Sequence, residues 1–258
     1  MPETMCRIFA MAAATDLPPA IKSRLLRTFF QSNADTYSGG WGVGYFTDEG
    51  PIVIKEPIKA TESFALPGAV RRVEPGFLMA HVRNPTSGDR NVLNTHPFMK
   101  DGWIFSHNGT LGNPHSLRAR LLERYSDDLL GSTDSEVMFH YLLQRIEQAG
   151  GAEAGVVGAI RVLSRDDGEG TSSLNFVMTD GTVLFAVRKA FKNDEKYTMN
   201  YATLGELDLA EDKQLLRDRG AMNATVISSE PFIPGEWTGL EMGEMLIATA
   251  ESHRVVKF

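Results

Sequence analysis

The spacing of apolar and polar positions divides the chain of 258 residues into two strand-rich ends and a helical middle. Short apolar runs bounded by turn residues predict β-strands. These runs lie at 6–13, 42–47, 51–56, 76–83, 102–108, 174–180, 182–188, 223–230, 244–249 and 253–258. Strands at both ends with helices between them predict antiparallel sheets covered by helices, which is an α+β fold.

Apolar residues recur at helical spacing in the middle of the chain and once between the first two strands. The segments that predict helices are 18–30, 115–125, 133–149 and 154–164. The prediction is clearest at 133–149, because Thr133 and Glu136 stand as a capping box ahead of an apolar stripe. Segment 189–222 follows no clear period, and we expect it to be rich in loops.

Composition narrows the class of protein. The net charge of −7 argues against nonspecific binding to nucleic acid, which depends on a basic surface. No apolar run has the length of a membrane span, and the N-terminus lacks the basic region and apolar core of a signal peptide. The single cysteine cannot form an internal disulfide. We therefore expect a cytoplasmic protein without metal, cofactor, nucleic acid or membrane as a partner.

The single cysteine, Cys6, opens the first predicted strand. One interpretation is a small core residue, because free cysteine is often buried. The other is a nucleophile, which needs a base beside it. If residues 1–5 were removed, the α-amine of Cys6 would be that base, since such amines titrate at about 7.7–8.0. Trimming of an initiator at Met5 would expose Cys6, whereas a start at Met1 requires another cleavage.

Two motifs with histidine follow. In AHVRNPTSG (80–88), His81 and Arg83 share one face at the end of a strand. They are either a satisfied histidine and a surface arginine, or they include a guanidinium that clamps a carboxylate. In NTHPF (94–98), His96 precedes a proline, so its backbone should be extended, and a turn histidine is the simpler interpretation.

Three further motifs each have two interpretations. Asn108-Gly109 in FSHNGTL is a hairpin-turn signal, yet a strand-end amide beside a glycine N–H also suits an oxyanion hole. Asp134 in STDSE lies in the first turn of a predicted helix, where the dipole favours an acid, and it could also hold an ammonium group. The glycines around Trp41 in SGGWGVG predict close backbone approach and lack the spacing of a phosphate loop.

The order and spacing of these motifs together resemble the glutamine amidotransferase domain of class II, an N-terminal nucleophile hydrolase. The early cysteine is followed by H-x-R-x-x-T-x-G, N-x-H-P, H-N-G and T-D-S-E. GGWG and SSEPF (228–232) are similar to the stand-alone branch, which includes the γ-glutamyl amidohydrolase of ergothioneine biosynthesis and the glutathione-degrading amidase subunit. The resemblance implies a four-layer αββα sandwich of two antiparallel sheets, with 1–258 as one domain and 1–5 as a leader.

The resemblance also implies a role for each candidate residue. Cys6 would be the nucleophile, with Asn108 and Gly109 as the oxyanion hole. Arg83 would bind the α-carboxylate of a glutamine or γ-glutamyl group, and Asp134 its α-ammonium group. Five further residues are candidates for lining the pocket, namely Thr86, His96, Trp41, His81 and His107.

The reaction that this resemblance implies is hydrolysis of a γ-amide through a cysteine γ-glutamyl thioester. We expect hydrolysis rather than amidotransfer, because the second half of the sandwich leaves no room for an acceptor domain. The alternatives are a glutaminase that delivers ammonia to a separate synthetase subunit, and a non-catalytic glutamine-binding module that keeps residues 1–5. Asn84, Ser87, Gly39 and Gly40 depart from the family pattern, so the leaving-group side of the pocket is not predicted.

Overall fold

A computed structural model gives the positions of most of the chain. It describes residues 5–14, 17–34, 39–74, 76–84, 89–166, 171–191, 194–209, 212–218 and 220–258. Residues 1–4 of the predicted leader and Thr86 of the predicted pocket lie outside the described residues.

Within these residues the chain forms thirteen β-strands arranged as two antiparallel sheets. In chain order they are β1 (Arg7–Ala12), β2 (Trp41–Thr47), β3 (Gly50–Glu56), β4 (Leu78–Val82), β5 (Phe98–Lys100), β6 (Trp103–Thr110), β7 (Ser173–Thr179), β8 (Leu184–Arg188), β9 (Asn200–Thr203), β10 (Thr225–Ser228), β11 (Thr238–Gly239), β12 (Glu244–Ala248) and β13 (His253–Lys257). Sheet A has the order β11-β9-β10-β1-β4-β2-β3, and sheet B has the order β13-β12-β8-β7-β6-β5.

Helices cover the outer face of each sheet. Within the described residues they are α1 (Pro19–Ser32), α2 (Leu66–Arg72), α3 (Pro114–Arg118), α4 (Glu123–Ser126), α5 (Asp134–Ala149), α6 (Ala152–Asp166) and α7 (Lys213–Asp218). None of these helices has both the length and the apolar character that crossing a membrane requires.

Three buried apolar clusters hold the layers together. The first packs α1, α2 and α7 against sheet A, and the second packs helices α3, α4, α5 and α6 against sheet B. The third fills the space between the two sheets, where Ile8 and Ala10 of β1 meet Ile104 of β6 and Val177 of β7. Burying this apolar surface stabilises the stack by roughly 25 cal/mol per Å² removed from water. The predicted four-layer αββα arrangement is confirmed.

Helix α5 begins and ends where its sequence indicates. The Thr133 hydroxyl accepts the backbone N–H of Glu136 at 3.3 Å, which is an N-cap, and Gly150 ends the helix in the left-handed region at φ 65°. The other half of the predicted capping box is wrong. The Glu136 carboxylate accepts the backbone N–H groups of Leu130 at 2.9 Å and Gly131 at 2.8 Å, so it fastens the preceding loop to the helix.

The single helix predicted over 115–125 is two short helices, α3 and α4. Gln144 of α5 binds the backbone between these two helices, and its Oε1 accepts the Leu122 N–H at 2.7 Å. The Gln144 amide nitrogen donates to the carbonyl oxygen of Arg120 at 3.1 Å. One side chain thus satisfies backbone groups that a continuous helix would have paired internally.

The hairpin-turn interpretation of Asn108-Gly109 is also wrong. Strand β6 continues through both residues to Thr110, and they pair with Asn175 and Leu174 of β7. The partner strand lies more than sixty residues away in the sequence, so long-range pairing overrides the local turn signal.

Candidate active site

Four segments meet at one end of the space between the sheets: the approach to β1, the end of β4, the end of β6 and the start of α5. Arg7 pairs with Val82 where β1 begins and β4 ends. The Ser106 hydroxyl of β6 donates to the Met79 sulfur of β4 at 3.3 Å, which places β6 over β4. The Leu111 N–H, just after β6, donates to the Asp134 carboxylate at 2.7 Å and so ties the start of α5 to this end.

The Cys6 sulfur lies between the main-chain groups of Asn84. The thiol donates to the Asn84 carbonyl oxygen at 3.3 Å and accepts the Asn84 N–H at 3.2 Å. Burial raises the pKa of the Cys6 thiol, and the Asn84 N–H and the charges of Arg83 and Arg7 partly oppose that rise. A thiol with a raised pKa stays protonated near neutral pH, so its use as a nucleophile requires a base.

The backbone around Cys6 is held from both sides of β1. The Arg7 guanidinium donates to the carbonyl oxygens of Met5 at 3.0 Å and Cys6 at 3.2 Å, and it forms an ion pair with Glu230. The Ile8 N–H donates to the Ser229 hydroxyl at 3.1 Å. The motif Ser228-Ser229-Glu230 therefore anchors the start of the strand that carries the thiol.

Arg83 lies near both the Cys6 thiol and the Asp134 carboxylate. The Arg83 side chain is only 4% exposed, and it donates to the carbonyl oxygen of Asp89 at 3.3 Å. Burial lowers the pKa of Arg83, while the neighbouring Cys6 and Asp134 favour its charged form. Asp134 is the first residue of α5, and its carboxylate also accepts the Ser135 N–H at 2.9 Å. The site thus holds a cation and an anion in fixed positions.

Asn108 and Gly109 lie near the end of β6, opposite the strands of sheet A. The Asn108 side chain faces the space between the sheets because it follows Ser106 by two positions on the strand. Gly109 admits no larger residue, since a Cβ there would lie 2.1 Å from the Ser173 carbonyl oxygen and 2.6 Å from His107 Nε2. An amide side chain and a glycine N–H at this strand end suit binding of a developing oxyanion.

His81 and His96 form a buried pair whose ring centroids are 4.4 Å apart and whose planes are tilted by 34°. The two ring nitrogens of His96 have no hydrogen-bond partner in the described part of the chain, while the backbone of His107 lies close to the His81 ring. Burial lowers the pKa of His81 to about 3 and the pKa of His96 well below its usual value. Both rings are therefore neutral near pH 7 and are poor general bases.

The glycine-rich motif brings the segment carrying His96 against β2. A Cβ on Gly42 would lie 2.2 Å from the His96 carbonyl oxygen, and one on Gly40 would lie 3.1 Å from a Thr95 methyl group. Gly40 also has a φ of 138°, which L-residues rarely adopt. The close backbone approach predicted for this motif is confirmed, and its effect is to place His96 beside His81.

Two other predicted pocket residues face away from the space between the sheets. Trp41 is fully buried against the helices that cover sheet A and forms an edge contact with Phe30 of α1 at 6.1 Å. His107 faces the helices of sheet B: its Nε2–H donates to the Ser173 carbonyl oxygen at 2.7 Å, and its Nδ1 accepts the Ser135 hydroxyl at 2.9 Å. His107 thus holds the start of α5 next to Asp134.

Asn84 takes part in the site through groups that leave no trace in the sequence. The sequence marks it only as a departure from a pattern, whereas its backbone N–H and carbonyl bind the thiol. Any residue except proline supplies those two groups, so only the strand geometry identifies the position. In the described residues no cluster of three or more His, Cys, Asp or Glu side chains is placed to hold a metal ion.

Comparison with known proteins identifies the family. The family model "Glutamine amidotransferases class-II" matches residues 5–256. The uncharacterized protein MJ1515 of Methanocaldococcus jannaschii is 29% identical over 84% of this chain, and the chain spans 63% of that relative's length. "Putative glutamine amidotransferase YafJ" of Escherichia coli is 26% identical over 94% of this chain and all of its own.

Solved structures share the fold at low sequence identity. The glutamine aminotransferase class-II domain protein of Silicibacter pomeroyi superposes with a TM-score of 0.65 at 22% identity, and 98% of this chain and 99% of that one are covered. The glutamine phosphoribosylpyrophosphate amidotransferase of Bacillus subtilis gives a TM-score of 0.69 at 19% identity, and the match covers 98% of this chain and 49% of that one. Both likenesses concern the arrangement of the sheets and helices.

Proposed function

The chain belongs to the class II glutamine amidotransferases, and from this membership we propose that it hydrolyses the γ-amide of glutamine or of a small γ-glutamyl compound. The observation that carries the proposal is the Cys6 thiol, held by Asn84 main-chain groups beside the charges of Arg83 and Asp134. The substrate would be a small amino acid derivative, and ammonia or an amine would leave.

Recognition would depend on the two charges at the head of the substrate. A free γ-glutamyl group carries an α-carboxylate and an α-ammonium group, which would pair with Arg83 and Asp134 respectively. An ordinary peptide bond consumes one of these groups, so a protein amide would leave one of the buried charges unmatched. Holding the head in this way would direct the γ-carbonyl carbon toward the sulfur.

The α-amine of Cys6 would act as the base once residues 1–5 are removed. The neutral His81 and His96 have pKa values far below neutrality, and His107 faces the other side of its sheet. The amine would take the thiol proton as sulfur bonds to the γ-carbon. The resulting oxyanion would accept hydrogen bonds from the Asn108 side chain and the Gly109 N–H.

The intermediate would then resolve in two steps. The C–N bond breaks, and the amine returns its proton to the departing nitrogen, which leaves a γ-glutamyl thioester on Cys6. Water then attacks the thioester carbon while the amine takes a proton from the water. The C–S bond breaks, and the amine returns this proton to the sulfur, which restores the thiol. The net reaction adds water across the amide and releases glutamate.

The test compares three forms of the protein with one substrate panel. The forms are a chain beginning at Cys6, a chain that keeps MPETM, and a Cys6→Ala variant beginning at position 6. We expect the first form alone to release glutamate from L-glutamine or a γ-glutamyl amide, because it alone has both thiol and free amine. Circular dichroism checks that the other two are folded, and mass spectrometry verifies each N-terminus.

The outcomes separate the alternatives. Activity in the Cys6→Ala variant, or equal activity in a chain proven to keep MPETM, would overturn the mechanism. Glutamate release only in the presence of a second protein would indicate a glutaminase subunit that serves a synthetase. Binding of glutamine without turnover by all three forms would indicate a non-catalytic module.

A further inference from the structure

Asn175 lies directly opposite Asn108 on the neighbouring strand. The two residues are register partners between β6 and β7, and side chains that are opposite in an antiparallel pair extend from the same face. That face looks into the space between the sheets, because Val177, two positions along β7, belongs to the apolar cluster there. Asn175 is completely buried and Asn108 is 2% exposed.

One contact fixes the orientation of the Asn175 carboxamide. Its oxygen accepts the backbone N–H of Lys189 at 2.8 Å. The reversed amide would place an NH₂ group against that N–H, so two donors would face each other. The Asn175 nitrogen is therefore a donor, and in the described part of the chain this buried nitrogen has no hydrogen-bond partner.

Asn108 has an unsatisfied acceptor, which is complementary to the unsatisfied donor of Asn175. Its side-chain oxygen is a buried acceptor without a hydrogen-bond partner among the described residues. Buried polar groups are rarely left in this state, and each costs about 1–3 kcal/mol. A hydrogen bond between this donor and this acceptor, which lie on directly opposite residues, would satisfy both.

We propose that Asn175 is a positioning residue that directs the Asn108 amide N–H toward the reacting carbonyl. If the Asn175 nitrogen donates to the Asn108 oxygen, the Asn108 nitrogen is the group that remains to face the substrate. Without that donor the Asn108 carboxamide has no fixed orientation, and its oxygen can face the oxyanion instead. This inference rests on the proposed function, in which Asn108 stabilises the oxyanion.

The test is a double-mutant cycle on kcat and KM for glutamate release. Asn175→Asp keeps an acceptor for Lys189 and replaces the donor by an oxygen. We expect it to lower kcat about tenfold, as expected from loss of one buried hydrogen bond. KM should change less than about twofold, because the oxyanion forms only in the transition state. In an Asn108→Ala background the same change should alter kcat less than about twofold.

Two further variants keep the test decisive. Asn175→Ala removes the donor without adding a charge and is compared in the same cycle if Asn175→Asp does not fold. Thr179→Val is the matched control: Thr179 is buried on the same face of β7 at its other end, and its variant should keep kcat. Equal losses in both backgrounds, an effect on KM alone, or unchanged kcat in an active enzyme would overturn the inference. A wild-type protein that releases no glutamate would instead overturn the proposed function first.

Discussion

The two faces of β6 near the site differ in how far their buried polar side chains are hydrogen-bonded. On the helix side, His107 has a partner for each ring nitrogen. On the side between the sheets, the Asn108 oxygen, the Asn175 nitrogen and the ring nitrogens of His96 have no hydrogen-bond partner among the described residues. The polar groups differ in this way although both faces are equally buried.

The comparison separates groups that support the site from groups that serve the substrate. A buried polar group in a purely structural role is normally satisfied by the protein. The unsatisfied groups of Asn108, Asn175 and His96 instead lie between the sheets, on the side where the candidate site is. Three variants test this contrast.

The largest effect is expected for Gly109→Ala, because Gly109 touches both faces of β6. The new Cβ would collide with the Ser173 carbonyl oxygen and with His107 Nε2, so the strand end must shift. Displacement of one oxyanion donor should lower kcat by about 10²–10³. The free energy of unfolding should fall by about 1–3 kcal/mol, measured by urea titration. Gly68→Ala is the control, since nothing lies within 4 Å of a Cβ there; it should keep kcat and should not lower the free energy of unfolding. Wild-type kcat in Gly109→Ala would refute the role of this strand end.

Arg83→Ala tests the binding half of the site. Loss of a buried guanidinium that pairs with the α-carboxylate should raise KM for glutamine by about 10–100-fold, with a smaller effect on kcat. It should also raise the pKa of Cys6, because the Arg83 charge favours the thiolate, and alkylation of Cys6 at pH 8 should slow. Arg90→Ala removes the same charge from a neighbouring exposed position. If Arg90→Ala raised KM equally, general electrostatic attraction would replace specific pairing as the explanation.

The smallest effect concerns the loss of stability in acid that the buried, neutral His81 causes. The pKa of His81 is about 3 in the folded protein, against about 6.5 in an unfolded chain. Above pH 6.5 both states are neutral, so stability is unaffected; as pH falls below 6.5 the unfolded state binds a proton that the folded state refuses. His81→Gln should therefore reduce the loss of stability between pH 6.5 and 5 by up to about 1.4 kcal/mol per pH unit. Urea unfolding at several pH values measures this change. An unchanged slope in His81→Gln would contradict the buried neutral state.

Much of the fold follows from periodicity, and the failures have particular causes. Helix α5 is predictable because its cap, apolar stripe and terminal glycine agree. Helix α2 is not predictable, because it contains Pro67 and Gly68, the two residue types with the lowest helix propensity. The short β5 and β9 gain their stability from pairing with strands elsewhere, so their own residues carry little signal.

Some residues of the candidate site are predictable from the sequence and others are not. Cys6, Arg83, Asn108 and Asp134 are predictable as side chains with chemistry in a family order, and the structure places all of them at one end of the sandwich. His107 cannot share a face with Asn108, since successive strand residues point to opposite sides. Asn84 acts through its backbone, and Asn175 is identified only by the register of two strands.

The central position of β1 has a consequence for biosynthesis. The strand that follows Cys6 pairs with β10, and the Ile8 N–H is bound by Ser229, 221 positions further along the chain. At roughly 5–20 residues per second, a ribosome needs on the order of tens of seconds between these two residues. The thiol therefore emerges long before its strand has both neighbours, and the candidate site cannot be organised before Ser229 has been synthesised.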